Sequence, residues 1–583
     1  MAQNKQAAQP IRPRRRPGPP KKTVRERLLH SLPPYTGPYN VGFLEIELPA
    51  RSPQAFATHI KRNGVPALQL DTVLFSVYYP SDSDSGPPDK SARAVTWLPR
   101  PRLETSKGYA KFLSVPHLPV TTYIALTSMF TRLPAYRNAR LASPGRRAAG
   151  EEDAGQAILV GGQDASGDEK EKPEEPRFPV IIFSHGLGGS RTSYSSVCGE
   201  LASFGIVVIA MEHRDGSGAR TYVNKSRSRD LESPELEKTG GPDKNREKDA
   251  HDSPRRDDKT QPKSYYMVDY LFPKDNPLDT SPLAEIEEAF YVLGQINSGH
   301  GEDVCAQNLR RKGNVGSSSK GLEKIDWRDW ASRLFLDHVT LMGHSFGAAT
   351  TAQVLRLERF SWVSQGILLD VWGPATPEST EQDKLRKPIL SVGSEAFMHW
   401  KENHDRVEAM CREARTSGAP CWVVTIRGST HLSQTDFAVL YPNWISLLMK
   451  TIVNPKRAIH LTVHSALEFL KITLPSCQTR FDKNSEAWAG ERLLSKAASE
   501  TKVLFDHRPD DKFVATRLKI PHEFSLRLRG LVSKFKRHDR SVPTDASGKP
   551  LVGLLSWGAG NEIWVHQSPT PNDVNHYMKQ RDC

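Results

Sequence analysis

Six short apolar runs constrain the fold of this chain more than any other feature. They are PVIIFSHG (179–186), GIVVIAMEHR (205–214), HVTLMGHS (338–345), QGILLDVWG (365–373), PILSVGSE (388–395) and CWVVTIRGSTH (421–431). Near-continuous apolar runs of this length have the pattern of strands covered on both faces. SSVCGELASF, PLAEIEEAFYVLGQI, TTAQVLRLERF and DRVEAMCREA separate them, with apolar residues at helical spacing. Strands alternating with helices imply an α/β protein, with a mostly parallel central sheet covered by helices. Upstream, NVGFLEIELPA and TVLFSVYYPSD alternate apolar and polar residues, as antiparallel edge strands or a hairpin do.

The rest of the chain has a different texture. Hydrophobic residues make up only 37% of the 583. Residues 1–33 are basic and Pro-rich, and are expected to be a disordered arm. Three charged, Gly/Ser/Pro-rich stretches, at about 140–177, 223–262 and 298–321, are expected to be disordered surface insertions, because they carry too little apolar surface to offset ordering entropy. This divides the chain into the arm, a catalytic domain over 34–454, and an extension over 455–583 with weak helical patterns in HSALEFLKITL and FSLRLRGLVSKFKR, a candidate strand in NEIWVHQS and no functional motif.

The N-terminus has no apolar core after its basic residues, so no secretory signal is read, and no run is long enough to span a bilayer. The expectation is an intracellular protein, cytoplasmic or peripheral to a membrane. A net charge of +13, from 80 basic and 67 acidic side chains, suits anionic surfaces. The basic residues are mixed with acidic ones and no nucleic-acid motif is present, so a nucleic-acid partner is not expected. The six cysteines show no metal-binding spacing. Cys411 and Cys421 could bridge, but two free thiols are expected.

GHSFG (343–347) fits G-x-S-x-G, after one apolar run and before a helix. A sharp strand-to-helix turn there presents Ser345 at the carboxyl edge of the sheet. The backbone N–H of Phe346 and the helix N-terminus then face a reacting carbonyl. A serine nucleophile needs a base, and the base needs an orienting acid. In this hydrolase class they follow the serine in the order acid, histidine. Asp370 in ILLDVWG and His431 in RGSTHLSQTDF stand at the ends of later strands. Glu395 is the rival acid, and His185 and His404 are rival bases; placement favours Asp370 and His431. His344, beside the serine, is expected to point away from it. FSHGLGGS (183–190) follows an early strand, where a second oxyanion donor belongs, and Leu187 is the candidate.

These motifs resemble the platelet-activating factor acetylhydrolase family, plasma and intracellular type II, including its fungal members. The resemblance rests on FSHGLGGSRTSYSSVCGELASFGIVVIAMEHRDGSGARTY (183–222), LMGHSFGAAT (341–350), LLDVWG (368–373) and GSTHLSQTDF (428–437), and covers about 36–450. It implies an α/β-hydrolase fold, with Ser345, Asp370 and His431 as a triad and Leu187 and Phe346 as backbone donors. It implies a substrate pocket that includes His185, Gly186 and Trp372. It also implies hydrolysis of short or oxidised sn-2 acyl esters of phospholipids without calcium or another cofactor. Glu212, His213, Arg214 and Asp215 match a family run and are read as a structural cluster. HLPVTTYIALTSMFTRL (117–133) resembles the position of the family's interfacial helix, so Tyr123, Ile124 and Phe130 are the candidates for a membrane-facing surface. A carboxylesterase or lipase acting on other esters is the nearest alternative function. A catalytically silent membrane-associated scaffold is a further one.

Overall fold

A computed structural model describes residues 31–62, 65–81, 95–113, 116–142, 177–224, 260–264, 281–311, 314–316, 321–376, 380, 383–479, 488, 492–495, 508–509, 518–519 and 562–581. Nearly all of the expected N-terminal arm lies outside these residues, as do most of the expected insertions near 140–177 and 223–262.

The centre is a ten-stranded sheet. In chain order its strands are β1 (Asn40–Arg62), β2 (Val65–Ser81), β3 (Tyr136–Arg137), β4 (Phe178–Ser184), β5 (Val207–Met211), β6 (Leu334–His344), β7 (Val363–Leu369), β8 (Ile389–Ser394), β9 (Cys421–Ile426) and β10 (Ile563–Gln567). Their order across the sheet is β10-β9-β8-β7-β6-β4-β5-β2-β1-β3. The stretch from β9 to β5 is parallel throughout. The β1–β2 hairpin and β10 join it antiparallel at either side. Every one of the six apolar runs supplies one parallel strand. This order, with the serine turn after the central β6, is the α/β-hydrolase fold.

Alternate residues on each strand feed opposite cores. Ile181 and Phe183 join the face packed by α3 (Ser195–Ser203) and α8 (Pro455–Thr473). Val180 and Ile182 join the face packed by α4 (Ser281–Asn297), α5 (Phe346–Arg356) and α6 (Lys401–Thr416). This period of two explains why the runs are apolar throughout: each residue is buried, whichever way it points. Before β3 lie α1 (Arg102–Phe112) and α2 (His117–Ser128), and α7 (Pro442–Met449) lies between β9 and α8.

Three features depart from the sequence expectations. Much of the stretch near 298–321 is ordered: Gly301–Gln307 is helical, and Asn308 accepts the Glu47 backbone N–H at 2.9 Å. Arg310 is buried, 3.3 Å from Glu47. Its polar residues find buried partners that composition does not reveal. The described residues after 455 are built into the same body. α8 packs in the core, and β10 buries Ile563, Trp564 and Val565 at the sheet edge. Cys411 and Cys421 form a disulfide, with Cα atoms 5.7 Å apart, because α6 runs back alongside β9 and brings them within bridging range.

Candidate active site

β6 ends at His344 and α5 begins at Phe346, which leaves Ser345 alone in the turn with φ 57° and ψ −117°. A side chain at positive φ is strained and persists only where its surroundings hold it. Here the Ser345 N–H donates to the Leu369 carbonyl at 2.9 Å, and the Ser345 carbonyl accepts the Trp372 N–H at 3.2 Å. The flanking glycines leave no room for side chains. A Cβ on Gly347 would lie 2.1 Å from the Ser184 carbonyl oxygen, and one on Gly343 2.1 Å from that of Gly347.

Asp370 follows β7 and is fully buried, with φ 45°. Its Oδ1 accepts the Ser394 N–H and its Oδ2 the Ser394 hydroxyl, both at 2.7 Å. The same Oδ2 is 2.7 Å from His431 Nδ1. A carboxylate only accepts, so Nδ1 carries a proton and Nε2 is the nitrogen left for a substrate-side proton. The Phe397 ring lies flat on the His431 ring, with centroids 4.3 Å apart and planes within 6°. Sequence reasoning passed over Phe397, since nothing in SEAFMHW marks it.

The rival residues have other partners. Glu395 accepts the Gly428 N–H and so holds the start of the loop that carries His431. His404 sits on α6 with its ring 5.2 Å from that of His566. His185 is buried, with Nδ1 on the Gly186 carbonyl at 2.9 Å and Nε2 accepting the His213 N–H at 3.1 Å. Burial, and next His213, push its pKa down to about 4. His185 thus ties the loop after β4 to the Glu212–Asp215 run.

The loop after β4 lies against the serine. A Cβ on Gly186 would come within 2.9 Å of both the Ser345 Cβ and the His344 carbonyl oxygen. Leu187 is half-buried in the turn that follows. The Gly188 N–H donates to Ser217 O at 2.7 Å, and the Ser217 hydroxyl in turn donates to Asp215 at 2.6 Å, which links that turn to the Glu212–Asp215 run. This run is a buried hydrogen-bonded cluster. Arg191 spans Glu45 and Glu212 at 2.7 and 3.1 Å, and Arg214 meets Glu47 at 2.9 Å. His213 bonds Glu285 at 2.7 Å and Ser184 Oγ at 2.8 Å. Against the cost of burial, the guanidinium groups hold Glu45, Glu47 and Glu212 below the usual carboxylate range. Trp372 is half-buried, and its backbone meets the serine turn.

The ring nitrogens and carboxylate of His344, Asp370 and His431 lie within 4.8 Å of one another, close enough for a metal ligand set. Their donors are largely spoken for: His431 Nδ1 is on Asp370, and His344 Nε2 is on the His431 carbonyl at 3.0 Å. The arrangement fits proton transfer rather than ligation.

Of the surface candidates, Tyr123 and Phe130 are exposed, at 37% and 53%. Ile124 is not: it points into the core at 5% exposure, because one helix turn cannot present adjacent residues to the same side. Leu118 and Leu126 of α2 are open to solvent, as are Trp444, Leu447 and Leu448 of α7. The two helices touch, with the Trp444 indole N–H on the Tyr123 hydroxyl at 2.9 Å. α7 carried no signal in the sequence analysis, since its partner is more than 300 residues away. Among the described residues no helix is long and apolar enough to cross a membrane.

Comparison with known proteins places this chain in a family. Residues 158–492, more than half of the chain, match the family described as platelet-activating factor acetylhydrolase, isoform II. The chain belongs to this family. It is 32% identical over 317 residues to a platelet-activating factor acetylhydrolase of Gallus gallus, covering 54% of this chain and 65% of that one. It is 30% identical to the Bos taurus protein of the same name, over 54% of this chain and 61% of that one. The match thus spans less than two thirds of these vertebrate relatives. A Schizosaccharomyces pombe protein named "Putative phospholipase A2" is 25% identical over 76% of this chain and 91% of its own. A ferulic acid esterase structure from Streptomyces cinnamoneus aligns with a TM-score of 0.40 at 16% identity, covering 76% of this chain and 92% of that one.

Proposed function

We propose that this acetylhydrolase family member is a serine esterase that removes short or oxidised acyl groups from the sn-2 position of glycerophospholipids. The observation that carries the reading is the 2.7 Å Asp370–His431 bond beside a serine held at φ 57°. In this mechanism His431 Nε2 takes the Ser345 hydroxyl proton as the oxygen attacks the acyl carbonyl. Asp370 fixes the tautomer and stabilises the imidazolium. The amides of Leu187 and Phe346 receive the oxyanion, each worth about 3 kcal/mol. The proton passes to the departing lyso-phospholipid oxygen, which leaves an acyl ester on Ser345. Water, giving its proton to His431, then releases the acid and restores the serine.

The substrate class rests on family membership and on the exposed apolar surface of α2 and α7. Apolar side chains on two contacting helices suit seating in a phospholipid headgroup layer. Treatment with a fluorophosphonate probe, followed by peptide mass spectrometry, tests the chemistry. The adduct is expected on Ser345 and lost in Ser345→Ala. Labelling elsewhere, or none, would overturn the reading.

A further inference from the structure

His344 lies in a hydrogen-bonded line that crosses the site. The Gly186 N–H, in the loop after β4, donates to the Tyr194 hydroxyl oxygen at 3.2 Å. That hydroxyl is 2.9 Å from His344 Nδ1. His344 Nε2 is 3.0 Å from the backbone carbonyl of His431. Tyr194 and His344 are both buried, with ring centroids 5.3 Å apart. The His344 and His431 rings are 4.5 Å apart.

The direction of every bond in this line follows from its last member. A carbonyl oxygen only accepts, so His344 Nε2 must carry the proton. Burial, and next the neighbouring His431, hold the His344 ring well below the ordinary histidine value, so it is neutral and has one proton only. Nδ1 is therefore a lone pair, and Tyr194 must donate to it. The tyrosine oxygen is then the acceptor for the Gly186 N–H. Each donor meets one acceptor, and no other assignment satisfies all three contacts.

The line joins three segments distant in sequence: the loop with Gly186 and Leu187, the serine turn, and the loop of His431. We propose that Tyr194 and His344 are positioning residues that fix the separation between the oxyanion loop and His431 across Ser345. Neither touches the reacting atoms. The His431 carbonyl fixes the tautomer of His344, and the Tyr194 hydroxyl supplies the proton that the buried Nδ1 lone pair needs. Without the tyrosine hydroxyl, Nδ1 is left buried with no donor and the link from His344 to the Gly186 loop is broken. This inference rests on Ser345 and His431 being the nucleophile and the base.

The test uses the full chain and a soluble ester, p-nitrophenyl acetate, with thermal melts to confirm folding. Tyr194→Phe keeps the ring and removes only the bridging hydroxyl. It should lower kcat about tenfold to a hundredfold, with KM within about twofold, since alignment rather than ground-state binding is lost. Replacing His344 separates the bridge from simple packing. In His344→Gln the side-chain N–H₂ reaches the place of Nε2 and keeps the donor to His431, whereas in His344→Asn it sits in the place of Nδ1 and does not. His344→Gln should stay within about fivefold of wild type, and His344→Asn should fall about a hundredfold. Wild-type kcat in folded Tyr194→Phe, or equal rates for the two His344 variants, would overturn the proposal. If Tyr194→Phe does not fold, the His344 pair decides alone. Ser345→Ala is measured beside them. Undiminished activity there would sink the catalytic reading itself, whereas a dead Ser345→Ala with indifferent bridge variants would sink only this inference.

Discussion

Gly186→Ala is the smallest change that reaches the oxyanion loop. The added methyl would lie 2.9 Å from the Ser345 Cβ, 2.9 Å from the His344 carbonyl oxygen and 3.1 Å from His344 Nδ1. Two of these neighbours belong to the backbone or to the nucleophile itself, and the turn that holds them is wedged by glycines on both sides. The loop must therefore give way, by about 0.5 Å or more, to reach ordinary contact in a close-packed interior. Leu187, the next residue, moves with it. A hydrogen bond to a developing oxyanion is lost when its donor is pulled out of line, and one such donor is worth about 3 kcal/mol, or about a hundredfold in rate. The expectation is thus a kcat about a hundredfold lower on p-nitrophenyl acetate. KM should change little, because the donor acts on the transition state. A folded Gly186→Ala with kcat within about threefold of wild type would refute the reasoning that the loop meets the serine to serve its oxyanion.

Arg214→Met should destabilise the protein by about 3–5 kcal/mol in urea unfolding, because it leaves Glu47 buried with a weakened set of partners. Stability should also fall as pH drops from 6.5 toward 4. His185 and His344 have folded pKa values below the ordinary 6.5, so the unfolded chain takes up protons first. The depressed Glu45, Glu47 and Glu212 have the same sign at lower pH, whereas His213, raised by Glu285 against its burial, and the carboxyls of Glu285 and Asp436, raised by burial, act the other way. A melting temperature that holds steady or rises over that window would contradict this balance. Leu126→Glu combined with Leu448→Glu should weaken binding to phosphatidylcholine vesicles by about tenfold and leave p-nitrophenyl acetate hydrolysis within about twofold. Undiminished vesicle binding would remove α2 and α7 as the lipid-facing surface.

The parallel sheet was legible because each of its strands is buried on both faces and so is apolar throughout. The strand-end placement of Ser345, Asp370 and His431 was legible because chain order defines such positions, and Asp370 and His431 meet there. What escaped the sequence depends on approach between distant segments. β10 is one of several weak patterns until the exposed edge of β9 selects it. The bond from the His213 N–H to His185 and that between Tyr194 and His344 join residues too far apart in sequence to be read from it. Ile124 and Tyr123 are equal as letters, and only the direction of α2 separates them. The Cys411–Cys421 bridge follows from α6 returning along β9, which residue spacing does not encode.

The central claim is that Ser345 cleaves sn-2 acyl esters of phospholipids. The most direct measurement is release of fatty acid from phosphatidylcholines whose sn-2 chain is graded from acetyl to palmitoyl, wild type against Ser345→Ala. The account predicts rapid release of acetyl and other short chains, falling toward palmitoyl, and a loss of about a thousandfold or more in Ser345→Ala. Undiminished release by the alanine variant, or wild-type protein inert on every chain length, would contradict it.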